Sequence, residues 1–184
     1  MRRAAFALLV ALVLLLPLSA PSRADGPVVL TVTGAIEKTN RGPFEPFSDV
    51  LFATLQESFE KAYALTLDDL GALPQQTVEV GYPNWPGPVT VTGPTLASVL
   101  DLVGATGSQV LVQAVDGYAP AFKIDEVRAG TFVLATAQGD EPLALGGRGP
   151  VWLVFPAGSY AGQTAEDDSG LAWAVFHLKI TAGE

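Results

Sequence analysis

Six residues stand where a side chain could meet a ligand: Tyr82, Asn84, Trp85, Asp116, Tyr118 and Arg148. The first three share a stretch that also holds Pro83, Pro86 and Pro88. An aromatic on a proline-stiffened loop offers a stacking or partner surface, or else a lid over a core edge. Asp116-Gly117-Tyr118 has two readings. Asp116 lines a pocket mouth while Tyr118 stacks on or hydrogen-bonds a planar ligand, or Asp116 closes a turn by bonding to backbone two residues on, with Tyr118 half-buried. Arg148 lies among Gly146, Gly147 and Gly149. A guanidinium with neighbouring backbone amides suits an anion; a structural salt bridge to one of the many acids is the plainer use.

Other chemistry-bearing residues point to less. His177 sits between Phe176 and Leu178 in an alternating segment. A general base needs a neighbouring nucleophile and an orienting acid, and no serine motif marks one, so a structural or exposed histidine is expected. Glu166, Asp167 and Asp168 carry oxygens of the kind calcium takes, yet their spacing matches no calcium loop and suits a solvated acidic turn. Asp68 and Asp69 are helix-start acids. The chain has no cysteine, which removes disulfides, cysteine nucleophiles, iron–sulfur clusters and thiolate metal sites. A single histidine removes any multi-histidine site.

The elements that must position these residues follow from periodicity. Residues 28–34 alternate and are rich in branched side chains, a strand. Ser48 is placed to cap a helix whose apolar positions Val50, Leu51, Thr54, Leu55, Phe59 and Tyr63 recur at helical spacing, with Glu57, Glu60 and Lys61 outward. Thr66 caps a second short helix that Gly71 and Pro74 end. Residues 77–80 and 89–93 read as strands around the proline-rich loop. Thr95 caps a helix over 96–103, stopped by Gly104. Strands follow at 109–115, 120–124 and 131–136, with one helical turn at 124–127 and a polar turn at 138–141. The run 151–155 is apolar throughout and predicts burial on both faces. An acidic loop over 159–170 precedes a closing strand over 171–180. No internal repeat or second domain is visible, and the class is α+β, strand-rich, with a few short helices.

Residues 1–24 have the three-part pattern of a secretory signal peptide: Arg2-Arg3, an apolar run over 4–16, and Ser22-Arg23-Ala24 before the cut. The apolar run is shorter than the roughly 20 residues that span a bilayer. The rest of a twin-arginine motif is missing, so general secretion is expected. The mature domain is then residues 25–184, long enough for one domain with a real core. No later segment is apolar and long enough to span a membrane. Three of the ten basic residues leave with the leader and none of the 19 acids does, so the mature chain carries seven basic residues and a net charge of −12. Such a chain repels phosphate backbones, and nucleic acid is not an expected partner.

The order of pieces resembles the oxidoreductase molybdopterin-binding domain family, the sulfite-oxidase-type fold. The pieces are Thr66 to Leu70 with Leu73-Pro74, Val78 to Val80, Gly93-Pro94-Thr95-Leu96 leading into Val99-Leu100, Asp116-Gly117-Tyr118, Leu134-Ala135 and Arg148-Gly149-Pro150. The likeness is greater to small exported members that carry this fold alone, often with a tryptophan-and-proline loop such as Pro83-Asn84-Trp85-Pro86-Gly87. The resemblance implies that fold, and a metal-binding cysteine just after the strand matching 78–80. Here that stretch is Gly81-Tyr82-Pro83-Asn84, without the soft thiolate such a centre demands. A histidine and an arginine are implied around 146–152; by position they are Gly147 and Trp152, with Arg148 nearby.

The expected protein is thus an exported, periplasmic or secreted, non-catalytic ligand- or protein-binding module that carries no cofactor. Its partner is an unknown periplasmic protein or small molecule. A molybdopterin-dependent oxidoreductase with atypical metal ligation, and a structural component of a periplasmic complex, are the alternatives. Mass spectrometry of the protein recovered from an exporting host should give Asp25 as the first residue; an intact Met1 or Arg2 would refute the leader.

Overall fold

The computed structural model describes residues 26–182, and the expected leader lies outside the described residues. Strand β1 (Val28–Gly34) alternates as its sequence does: Leu30 and Val32 enter the main core, and Thr31 and Thr33 are buried on the other face. Helix α1 (Val50–Thr54) has only five residues, so the helix expected to reach Tyr63 is much shorter. Ser48 does not cap it; Asp49 holds the N-cap position, and its carboxylate accepts from Arg41 Nη2 at 2.7 Å and from Glu45 N at 3.0 Å instead. Gln56, at φ 59°, turns the chain out of the helix. What overrides the helical spacing is strand pairing. Tyr63 belongs to β2 (Ala62–Thr66), antiparallel to β1, while Phe59 packs with Phe52 and Ala62 in a small aromatic cluster. Glu57, expected in solvent, pairs with Lys179 at 2.8 Å.

Thr66 ends β2 and caps α2 (Leu67–Gly71) through a reciprocal capping box with Asp69. Strands β3 (Gln75–Val80) and β4 (Val89–Pro94) form a hairpin around the proline-rich loop. Helix α3 (Leu96–Val103) has the expected bounds: Thr95 Oγ1 accepts from Ser98 N, and Gly104 closes it in a left-handed conformation. Its buried Leu96, Val99, Leu100 and Val103 form one stripe. Next come β5 (Gln109–Ala114), β6 (Ala121–Lys123), α4 (Ile124–Ala129) and β7 (Val133–Ala135). The polar turn at 138–141 is a hairpin between β8 (Ala137–Gln138) and β9 (Glu141–Pro142). The chain continues with β10 (Trp152–Val154) and β11 (Val175–Thr181).

The strands make a five-stranded sheet in the order β2-β1-β11-β5-β6, a four-stranded sheet in the order β3-β4-β8-β9, and the two-stranded ribbon β10-β7. All pairings are antiparallel except β1 with β11. The architecture is mixed, strand-rich, with four short helices among the described residues. No helix among them is long and apolar enough to cross a membrane.

The ribbon separates two cores. Its pleat sends Phe132, Leu134, Leu153 and Phe155 into the main cluster with α3 and the five-stranded sheet. It sends Val133, Ala135, Trp152 and Val154 into a second cluster against β3 and β4. The run expected to be buried on both faces is therefore a partition. Where β4 crosses β7 the backbones nearly touch: a Cβ on Gly93 would lie 2.1 Å from the carbonyl oxygen of Leu134.

The outer face of the five-stranded sheet carries a buried polar row under the aromatic cluster. His177, 1% exposed, lies between Thr33 and Gln113. Its Nδ1 is 2.8 Å from Gln113 Oε1, and its Nε2 is 2.7 Å from Thr33 Oγ1. With the Gln113 oxygen as acceptor, Nδ1 carries the proton and Nε2 accepts from the Thr33 hydroxyl. Burial, with Lys179 adding, lowers the His177 pKa to about 3.

Two expectations follow. Gly93→Ala should cost about 3 kcal/mol of stability through overpacking. Gly87→Ala, where an added Cβ meets nothing within 4 Å, should stay within about 0.5 kcal/mol; equal chemical-denaturation midpoints for the two would contradict the close crossing. The neutral His177 should also make stability fall on acidification. The unfolded chain takes up the proton first, below about pH 6.5, and the folded chain only near pH 3. Between those values stability should drop with a slope approaching about 1.4 kcal/mol per pH unit. His177→Gln should remove that contribution between pH 6.5 and 5, above the carboxylate range; an unchanged slope there would refute it.

Candidate functional site

Four connections meet beside the second cluster. Trp152, on β10, is 1% exposed and forms the floor. Trp85, on the loop between β3 and β4, stacks on it with ring centroids 5.6 Å apart and planes 29° apart. Its Nε1–H donates to Asp168 Oδ2 at 3.2 Å, which ties the proline-rich loop to the acidic loop. Tyr82 supports the arrangement from beneath. Its ring centroid is 5.3 Å from that of Trp85, its hydroxyl donates to the Phe155 carbonyl at 2.9 Å, and the same oxygen accepts from Gln163 Nε2 at 2.9 Å. Burial pushes the Tyr82 phenol pKa up, and the Asp168 and Asp167 charges add to the rise against the Gln163 bond.

The loop before β10 places Arg148 against these indoles. Its guanidinium carbon lies 4.7 Å from the Trp152 ring centroid and 5.4 Å from that of Trp85. Cation–π attraction of this kind contributes about 0.5–2 kcal/mol, more as water is excluded. The backbone there is fastened to the segment entering β11: Ala174 N donates to Arg148 O at 2.9 Å, and Val175 N to Val151 O at 2.8 Å. Among the described residues the Arg148 side chain makes no ion pair, so the structural salt bridge is not its use here.

The turn between β5 and β6 supplies the opposite wall. Asp116 Oδ1 accepts from Tyr118 N at 3.0 Å, the bond expected of an Asx turn. The Tyr118 hydroxyl donates to the carbonyl of Ser169, a second tie to the acidic loop. Burial, with Asp167 adding, raises its pKa. Asp116 therefore closes a turn and faces the same space as Tyr118.

That space is a cavity of about 410 Å³ lined by Trp85, Asp116, Tyr118, Arg148, Trp152 and Trp173, with Asp168, Ser169 and Leu171 completing it. Four of the six residues singled out in the sequence thus share one cavity. Tyr82 and Asn84 do not line it. Tyr82 leaves β3 on the buried side of the pleat and is 5% exposed, whereas Asn84 sits exposed in the turn between Tyr82 and Trp85. Trp173 and Asp168 were not anticipated. The closing strand expected over 171–180 begins only at Val175, so Trp173, half exposed, stands in the bend before β11 rather than in a strand, and Asp168 reads as one more solvated acid. All three tryptophans of the chain line this cavity.

A second cavity, of about 290 Å³, lies beside α1 and Phe176. The cation in its wall, Arg41, is already paired with Asp49 at 2.7 Å. Among the described residues no group of three or more His, Asp or Glu side chains could hold a metal ion. Two of the three acids are engaged: Asp167 locally, accepting from Ser169 N and Oγ, and Asp168 across the loops, accepting from Trp85.

The position implied for a thiolate does not fit a molybdenum centre. At Gly81 a Cβ would lie 3.1 Å from Pro88 Cβ, and the Tyr82 oxygen is committed to Phe155 and Gln163. Neither residue, nor Pro83 or Asn84, supplies a soft donor.

No protein-family model and no curated protein matches this chain. Among solved structures it is similar to the sulfane dehydrogenase SoxCD from Paracoccus pantotrophus, with a TM-score of 0.57 and 18% sequence identity over 84% of this chain. The chain spans 38% of the length of that chain. At this identity the likeness establishes a shared fold and nothing finer.

Proposed function

We propose that this chain is an exported, non-catalytic ligand-binding module on a sulfite-oxidase-type fold, and that the tryptophan-lined cavity is its binding site. The observation that carries the reading is the cavity itself. Four connections, brought together by Trp85–Asp168, Tyr118–Ser169 and Ala174–Arg148 hydrogen bonds, present aromatic faces and both signs of charge to one space. Its volume of about 410 Å³ lies within the range of small-molecule sites. The reading as non-catalytic rests on the donor set: the fold's expected thiolate position holds glycine and a committed tyrosine. Export rests on the leader pattern of residues 1–24.

One preparation tests both halves. The precursor is expressed in a molybdenum-replete bacterial host, and the exported protein is purified. Elemental analysis and pterin fluorescence should find neither molybdenum nor pterin; a stoichiometric amount of either overturns the non-catalytic reading. A library of small fragments is then titrated while the three indole Nε1–H resonances are followed. At least one fragment should shift them saturably, with the effect lost in Arg148→Gln. A library without one saturable binder would overturn the binding reading.

A further inference from the structure

The cavity holds its two signs of charge apart. Arg148 is seated on Trp85 and Trp152 and makes no ion pair among the described residues, although Asp116 and Asp168 line the same space. Two opposite charges that share a cavity without pairing are complementary to a ligand that carries both. The carboxylates are oriented by Tyr118 N–H on Asp116 Oδ1 and by Trp85 Nε1–H on Asp168 Oδ2. A carboxylate accepts about four hydrogen bonds, so each keeps sites for an incoming donor. Aromatic side chains that line the same cavity are partly open, with Trp173 50% and Tyr118 44% exposed.

Net charge narrows the choice. The whole chain carries −9, and residues 25–184 are more acidic still. A simple anion approaches Arg148 against that field, and a simple cation attracted to the carboxylates meets Arg148 within the same cavity. A ligand of zero net charge with separated poles avoids both costs.

We propose that the cavity takes a small zwitterion with a flat apolar body, an α-amino acid in chemical class. Its carboxylate meets the Arg148 fork, its ammonium meets Asp116 and Asp168, and its body lies against Tyr118 and Trp173. The assignment rests on the binding-module reading above and adds the ligand class.

Three matched probes test it: L-phenylalanine with both charges, 3-phenylpropionate with the carboxylate alone, and 2-phenylethylamine with the ammonium alone. The readout is the set of three indole Nε1–H resonances, all belonging to cavity-lining residues. L-phenylalanine should shift them saturably, and each single-charge analogue should bind about tenfold more weakly or worse, as loss of one charged hydrogen-bonding pole requires. Arg148→Gln should weaken L-phenylalanine to the level of 2-phenylethylamine. In the double variant Asp116→Asn, Asp168→Asn the amide oxygens still accept from Tyr118 N–H and Trp85 Nε1–H, so the loops stay tied. There 3-phenylpropionate should bind as well as L-phenylalanine. Either single-charge analogue matching L-phenylalanine on the unaltered protein overturns the zwitterion and leaves a binding cavity of another selectivity. Silence from all three overturns it too, and the fragment library then decides separately whether the cavity binds anything.

Discussion

Burial of the β7–β10 ribbon on both faces is the constraint on which the rest of this structure depends. A surface ribbon has one apolar pleat and one wet one; this ribbon has two apolar pleats, and each must find its own core. Leu153 and Phe155 join the helices and the five-stranded sheet, while Trp152 and Val154 join the β3–β4 hairpin. A slip of one residue in its register would exchange the two sets and leave neither core filled. The near contact of Gly93 with the Leu134 backbone fixes the hairpin against the ribbon at one point. The position of Trp152, and with it the floor of the cavity, follows from a rule about alternation rather than from anything in the loops.

The loops are then held by a few polar ties rather than by packing alone. Trp85 reaches Asp168, Tyr118 reaches Ser169, and the backbone of Arg148 is fastened to Ala174. Each tie joins segments far apart in sequence, and each uses a residue that also lines the cavity. The result is a rim whose loops are tied to one another at three points. Arg148 shows the same economy: its guanidinium lies over the Trp85 and Trp152 rings and also lines the cavity.

Much of this was legible in the chain where a local rule and the tertiary fold agree. Thr95 and Gly104 bracket α3 because a cap and a left-handed stop are local chemistry, and the apolar run 151–155 announced its two-sided burial. Legibility failed at residues 48–63. Val50, Leu51, Phe59 and Tyr63 recur at helical spacing, but Tyr63 is recruited as a partner of Val32, and strand pairing with β1 outweighs a short, poorly capped helix. Of the six residues singled out by type, Trp85, Asp116, Tyr118 and Arg148 line one cavity, and Trp85 also covers the edge of the second cluster, as its lid reading expected. Type could not reveal that Tyr82 turns inward beside Trp85, nor that Trp173 and Asp168 come from the far end of the chain to complete the wall. Those facts belong to the assembled fold.

The placement of β11 carries one more consequence. This strand lies between β1 and β5, and its His177 bonds to Thr33, 144 residues earlier. Until residues 175–181 arrive, β1 and β5 have no common neighbour and the largest sheet is two fragments. A chain without those residues leaves unpaired the edges of β1 and β5 that β11 fills, edges of the kind that recruit the edges of other molecules. Sheet closure is a long-range event, slow by the topology of its contacts. Completion of the five-stranded sheet therefore waits on β11, the strand that joins its two halves.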